Sequence, residues 1–277
     1  MRVQLFMSEK THDIGVNREL LVAITRQCQQ RQDIILTDEN PDIVHLFGAW
    51  EKSVSILANR LYKKTIPYVY SPLGGLLPWH TTHHAHKIGL AAQKKIAARA
   101  STIHARSPLE REFLMEGKWN KEVVVIKNSA ITNEIQEKEM VDDIIKLYNE
   151  IIASYIFKTH EDIREKVLNL EEEDENIRYV FEKILLAHHE MHRGNMSQES
   201  LDGLAQAMTA VDYDEDKMAA LLHQHKLDKF LGCLEQVMME KSTLTEGFTT
   251  LPPIQDKLTE QMKESITHYQ QPTITTD

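Results

Sequence analysis

Two cysteines, Cys28 and Cys233, are all the chain contains, and they stand far apart. They form neither a metal-ligand spacing nor a disulfide framework, so a reduced, cytoplasmic protein is the expectation. No apolar run approaches the roughly 18 residues that a membrane-spanning helix needs. The opening stretch MRVQLFMSEK is too briefly apolar to read as a secretory signal. No repeat of fixed period is present. Basic charge is also short, with 32 Lys and Arg against 42 Asp and Glu. That balance argues against a nucleic-acid partner, which requires clustered cations.

The charge is unevenly spread. Residues 1–155 carry 20 basic and 18 acidic side chains, and the remainder carries 12 and 24. The asymmetry points to two parts with different surfaces. The near-neutral part leaves room for a peripheral place at the inner membrane face. With 277 residues, 42% of them hydrophobic, either part can bury a core.

In the first part, short apolar runs alternate with helical patterns. Strands are expected at Val3–Met7, Asp33–Leu36, Ile43–Phe47, Tyr68–Tyr70, Thr102–Ala105 and Val123–Ile126. Between them fall helices from Asn17 to about Gln30, Trp50 to about Lys64, and Lys87–Arg99. Ser107 and Glu110 have capping-box spacing ahead of a helix that stops at Gly117. Strands this uniformly apolar are buried on both faces, so the expectation is a parallel sheet between helices.

After about residue 132 no strand is expected. EMVDDIIKLYNEIIASYIF (139–157) is a strong helix. Further helices are expected at about 160–170, 174–193, 197–210, 214–241 and 253–270, with 270–277 as a frayed tail. The fold class is thus α/β, a Rossmann-like parallel sheet followed by an all-α region. The expected domains are 1–154, with a helix near 139–154 packing back onto it, and an acidic helical 155–277.

Open parallel sheets bind ligands at the carboxyl ends of their strands. Three loops there carry distinctive residues: SEKTHDIGVNRE after the first strand, GAWEKS after IVHLF, and SPLGGLLPW after YVY. Gly48 and the Gly74–Gly75 pair permit close backbone approach or positive φ. Trp50 and Trp79 offer faces for a sugar, with Trp79 as the expected anchor of the third loop.

Four segments, PDIVHLFGAW, KKTIPYVYSPLGGLLPW, KKIAARASTIHARSPLEREFLMEG and VVVIKNS, carry a resemblance in order and spacing. They resemble the N-terminal, acceptor-binding half of GT-B glycosyltransferases of the family-4 type. The resemblance covers roughly residues 1–131. It implies an acceptor cleft built from Gly15, His45, Gly48, Trp50, Ser71, Leu73, Gly74, Gly75, Trp79, Ser107, Glu110 and Asn128.

The chain departs from that pattern in four places. The glycine pair after the first strand is reduced to Gly15. The loop histidine is replaced by Leu73, which can neither donate a hydrogen bond nor move a proton. Asn128 has lost the glycine that follows it. The second Rossmann-like domain, which binds the nucleotide-sugar, has no counterpart in the pattern after residue 131. Glu182 and Glu190 reproduce the seven-residue spacing of the donor motif, but in a helical stretch without a glycine loop. MVDDIIKLYNEII is similar to the helix that packs back onto the acceptor half in the complete family.

Histidines offer two further readings. His80, His83, His84 and His86 cluster in WHTTHHAHK, and His188 and His192 stand four apart in AHHEMH. Each is either a metal site or a polar surface stretch, and the second is the expectation; no resident metal is expected. His45 and His104 lie inside apolar strands, as core groups or as ligand contacts. EEEDE (171–175) reads as a solvated helix boundary.

The resemblance implies an incomplete or degenerate hexosyltransferase of glycan or polysaccharide biosynthesis. It would act with a donor-binding partner on a glycan or lipid-linked acceptor, and hold no cofactor beyond a nucleotide-sugar at the partner's site. The alternative is a non-catalytic glycan-binding or regulatory protein. A helical region that serves as an interaction module is a third.

Overall fold

The structure is a computed structural model that describes residues 1–83, 87–130 and 132–268. His84 and His86 lie outside the described residues, as does the tail from residue 269. The chain divides into two compact units, Met1–Tyr155 and a second that begins at Ile156.

The first unit is a Rossmann-like α/β unit. Its strands are β1 (Arg2–Met7), β2 (Ile35–Leu36), β3 (Ile43–Phe47), β4 (Tyr68–Ser71), β5 (Thr102–Ala105) and β6 (Val123–Val125). They form one all-parallel sheet in the order β2-β1-β3-β4-β5-β6. Helices α1 (Glu9–His12), α2 (Gly15–Gln29), α3 (Lys52–Lys63), α4 (Pro78–His83), α5 (Lys87–Arg99) and α6 (Pro108–Glu116) connect them. Most boundaries fall within two residues of the sequence expectation. The second strand is shorter, because only Ile35 and Leu36 pair with β1.

All five residues of β3 are buried. The alternation of side chains across a strand divides them between two faces. Val44 and Leu46 join Tyr68, Tyr70, Ile103 and residues of α3, α5 and α6 in one apolar cluster. Ile43 and Phe47 join Val69, α2 and a set from Met140 to Tyr148 in the other. That set lies on α7 (Glu134–Leu168), one unbroken helix where the sequence pattern suggested two. Arg26 of α2 donates to Glu137 of α7 at 2.6 Å, and Gln27 donates to it at 3.2 Å. The Arg26 guanidinium lowers the Glu137 pKa.

The second unit is all-helical among the described residues. It contains α8 (Glu175–Arg193), α9 (Gln198–Ala210), α10 (Glu215–Gln224), α11 (Asp228–Lys241) and α12 (Lys257–His268). The expected 214–241 helix is broken at Lys226, whose φ of +59° is left-handed and cannot continue an α-helix. Asp174 caps α8 by accepting from Asn176 and Ile177 N–H, and Gly194 ends it at φ +76°. Glu182 and Glu190 lie on α8, with no strand beside them. No described helix is long and apolar enough to cross a membrane.

Candidate functional site

The strand order reverses between β1 and β3, where doubly wound sheets open a ligand crevice. Here α1 fills that place. Thr11 is buried, accepts from Ser8 Oγ at 3.1 Å and presents its carbonyl to Asn17 Nδ2 at 3.2 Å. Gly48 lies against it at φ +95°, and a Cβ there would stand 2.4 Å from Thr11 Oγ1. Gly48 is therefore needed for packing. Gly15 opens α2 with nothing within 4 Å of a would-be Cβ.

The open cleft lies further along the same edge of the sheet. It has a volume of about 490 Å³ and is lined by Val16, Gly74, Leu77, Arg106, Ser107, Leu109, Glu110, Lys127 and Asn128. These come from the start of α2 and from the segments that follow β4, β5 and β6. Four of the twelve expected residues, Gly74, Ser107, Glu110 and Asn128, line it. Arg106, Lys127, Val16, Leu77 and Leu109 were not among the expected set. A cation directly after an apolar strand, as Arg106 and Lys127 each are, was the available signal.

Ser107 Oγ accepts the Glu110 N–H at 3.2 Å and caps α6, with Pro108 in the first turn. The reciprocal half of the capping box is not made. Glu110, nearly fully buried, instead accepts from Gly74 N–H at 2.7 Å and Arg106 N–H at 2.8 Å. The Arg106 Nε stands 3.9 Å from it. Glu110 thereby fixes the loop after β4 to the start of α6. Asn128 Oδ1 accepts from Ala130 N–H at 3.1 Å, shaping the turn after β6.

The SPLGGLLPW loop is held mainly from behind. Trp50, itself at φ +65°, donates its indole N–H to Gly75 O at 2.6 Å, and its backbone N–H goes to Gln93 Oε1. Gln93 Nε2 donates to the Tyr70 hydroxyl at 2.9 Å. A Cβ on Gly75 would meet Ala49 Cβ at 2.6 Å. Trp50 is thus the anchor that the sequence assigned to Trp79. Trp79 is 52% exposed on α4 and meets Phe113 edge-on at 6.2 Å. Leu73 adopts φ +55° and packs against the apolar cluster of α2 and α7, outside the cleft lining.

His45, Ser71 and His104 are not cleft residues. Their parity in adjacent strands puts them on the α2–α7 face, where they form a buried chain with Tyr148. His104 Nε2 lies 2.9 Å from Ile126 O. A carbonyl only accepts, so this nitrogen carries hydrogen. Neutral His104 must then accept at Nδ1 from the Ser71 hydroxyl, 2.7 Å away. Ser71 in turn accepts from His45 Nε2 at 2.6 Å, and His45 Nδ1 accepts from the Tyr148 hydroxyl at 2.6 Å. One carbonyl thus sets every proton in the chain. Burial lowers the pKa of both histidines and raises that of Tyr148, which keeps all three neutral. The network joins β3, β4, β5 and α7, and its role is structural.

The larger hollow, about 1170 Å³, lies in the helical unit and includes Lys166, Leu170, Phe181, His188, Lys217 and His225 in its lining. His188 meets Phe230 edge-on at 4.7 Å. Among the described residues no group of three or more His, Cys, Asp or Glu is placed to hold a metal.

No protein-family profile, curated protein or solved structure matches the chain. The fold class rests on the sheet itself, and the function must be argued from the cleft.

Proposed function

We propose that residues 1–155 form a glycosyltransferase-type acceptor-binding half that acts with a donor-binding partner in glycan or polysaccharide assembly. The observation that carries this reading is convergence. Parts of three of the four segments that carry the resemblance meet at one cleft, and the fourth, through Trp50, supports the SPLGGLLPW loop from behind.

The lining suits binding better than catalysis. Arg106, Lys127 and Ser107 supply polar and cationic contacts, and Val16, Leu77 and Leu109 supply apolar surface. The one carboxylate, Glu110, is committed to two backbone N–H groups. Among the described residues neither histidine nor cysteine lines the cleft, and Leu73 packs away from it, so a proton acceptor for the acceptor hydroxyl is wanting there. A donor-binding domain would have to come from outside the 277 residues.

The test is an incubation of the chain with UDP-glucose, GDP-mannose and an oligosaccharide panel. The expected result is saturable oligosaccharide binding without release of UDP or GDP. Steady nucleotide release by the chain alone would overturn the reading.

A further inference from the structure

The cleft has a polarity that narrows its ligand. In a chain of net charge −10, it holds two cations, Arg106 and Lys127, against a single carboxylate. That carboxylate is buried and already accepts two backbone N–H groups, so its charge is directed inward. The Arg106 guanidinium is positioned: its Nη2 would lie 2.9 Å from a Cβ on Gly74, so the glycine leaves it room beside the loop. Lys127 is exposed, and no carboxylate among the described residues pairs with it. A planar guanidinium and an ammonium across one cavity suit an oxyanion with several acceptor oxygens.

Beside Ser107 and Asn128 the lining also has an apolar part. Val16 is 45% exposed and Leu109 is 55% exposed, and both line the same cavity together with Leu77. Two large aliphatic side chains left in water beside two cations describe a surface for an amphipathic anion. A free inorganic ion would leave Val16 and Leu109 uncovered, and a neutral glycan would leave Lys127 without a counter-charge, Arg106 having only the Glu110 carboxylate at 3.9 Å.

We propose that the cleft binds a phosphate group joined to an apolar portion, the phosphate lying between Arg106 and Lys127 and the apolar portion over Val16, Leu77 and Leu109. This rests on the reading of that cleft as the ligand site, and specifies the chemical class it takes. The same chemistry belongs to a lipid phosphate headgroup and to a soluble alkyl or aryl phosphate ester.

The experiment titrates the full chain with n-hexyl phosphate, inorganic phosphate and 1-hexanol, and follows the backbone amides of Gly74, Arg106, Lys127 and Asn128 by NMR. Burial of two or three methylenes predicts that hexyl phosphate binds about tenfold or more tightly than inorganic phosphate. 1-Hexanol shifts none of these amides. Lys127→Gln, at an exposed position, weakens hexyl phosphate about three- to tenfold, and Leu109→Ser narrows its advantage over inorganic phosphate. Vesicles with and without a lipid phosphate then separate the two sources: retention only on the phosphate-bearing vesicles marks a membrane headgroup, and retention on neither marks a soluble ester. Equal affinity for hexyl and inorganic phosphate, or unchanged binding in Lys127→Gln, overturns the proposal. If oligosaccharides shift these amides and hexyl phosphate does not, the proposal falls and the acceptor reading stands. If hexyl phosphate binds here and the chain alone turns over a nucleotide-sugar, the proposal stands and the reading without transfer falls.

Discussion

Glu110 Oε1 accepts the Gly74 N–H at 2.7 Å, and this contact fixes the loop after β4 to the start of α6. The partner oxygen holds Arg106 N–H at 2.8 Å, so one side chain orders two walls of the cleft. A glutamine offers only one acceptor oxygen. Glu110→Gln therefore leaves one N–H without an acceptor and costs about 1–3 kcal/mol of stability. Chemical denaturation measures the loss. The amide shifts of Gly74 and Arg106 report that the damage is local.

The chain from Tyr148 to His104 predicts a protonation pattern. Both His45 and His104 carry hydrogen on Nε2 and none on Nδ1, which long-range ¹H–¹⁵N correlation spectra read directly. Neither ring titrates near the ordinary 6.5. Their folded pKa values are lowered, so below pH 6.5 the unfolded chain binds protons that the folded chain does not. Stability from this pair is then present above 6.5 and declines as the pH falls below it. Tyr148→Phe removes the donor to His45 and costs about 1–3 kcal/mol.

Two glycines proposed for one role separate cleanly. Gly48 faces Thr11 at a left-handed φ, and Gly48→Ala forces a Cβ to 2.4 Å from Thr11 Oγ1. That substitution destabilises the first unit by about 1–3 kcal/mol. Gly15 opens α2 with free space around it, so Gly15→Ala is neutral or stabilising by up to about 1 kcal/mol. All three tryptophans lie between Trp50 and Trp119, so fluorescence melts of the two variants report on this unit alone.

In the helical unit, Glu235 is buried and accepts from Thr250 N–H at 2.7 Å and Leu251 N–H at 3.2 Å. Burial pushes its pKa up to about 7, above the ordinary 4.5, with Glu215 adding to the shift. A raised folded pKa means that this contribution is complete below 4.5 and lost as the pH rises toward 7. The effect is of order 3 kcal/mol. Glu235→Gln removes it, so the difference in denaturation free energy between the native chain and the variant varies across pH 4.5–7. A flat difference contradicts the assignment.

The sheet was legible because its strands are short, apolar and buried on both faces, and a parallel strand leaves little other reading for IVHLF or VVV. The break at Lys226 was not legible. Nothing in HQHKLD is a strong helix breaker, and the left-handed residue there is imposed by the packing of Leu221, Leu222 and Leu227 into one core. The site was half legible. Loop glycines announce close approach, but not whether a ligand or Thr11 does the approaching. His45 and His104 stand out in the sequence as polar residues at strand positions, and Ser71 as the first residue of the loop after YVY. Their shared parity in neighbouring strands was the signal that they meet one another and not a ligand.

The central claim is that the cleft at the carboxyl ends of β4, β5 and β6 holds an acceptor and that the chain does not bind the donor. Amide chemical-shift mapping of the full chain tests it most directly, with an oligosaccharide panel in one series and UDP-glucose and GDP-mannose in the other. The account predicts saturable shifts at Gly74, Arg106, Ser107, Lys127 and Asn128 in the first series and none in the second. Saturable shifts with a nucleotide-sugar, and silence at those five amides with every oligosaccharide, would contradict it.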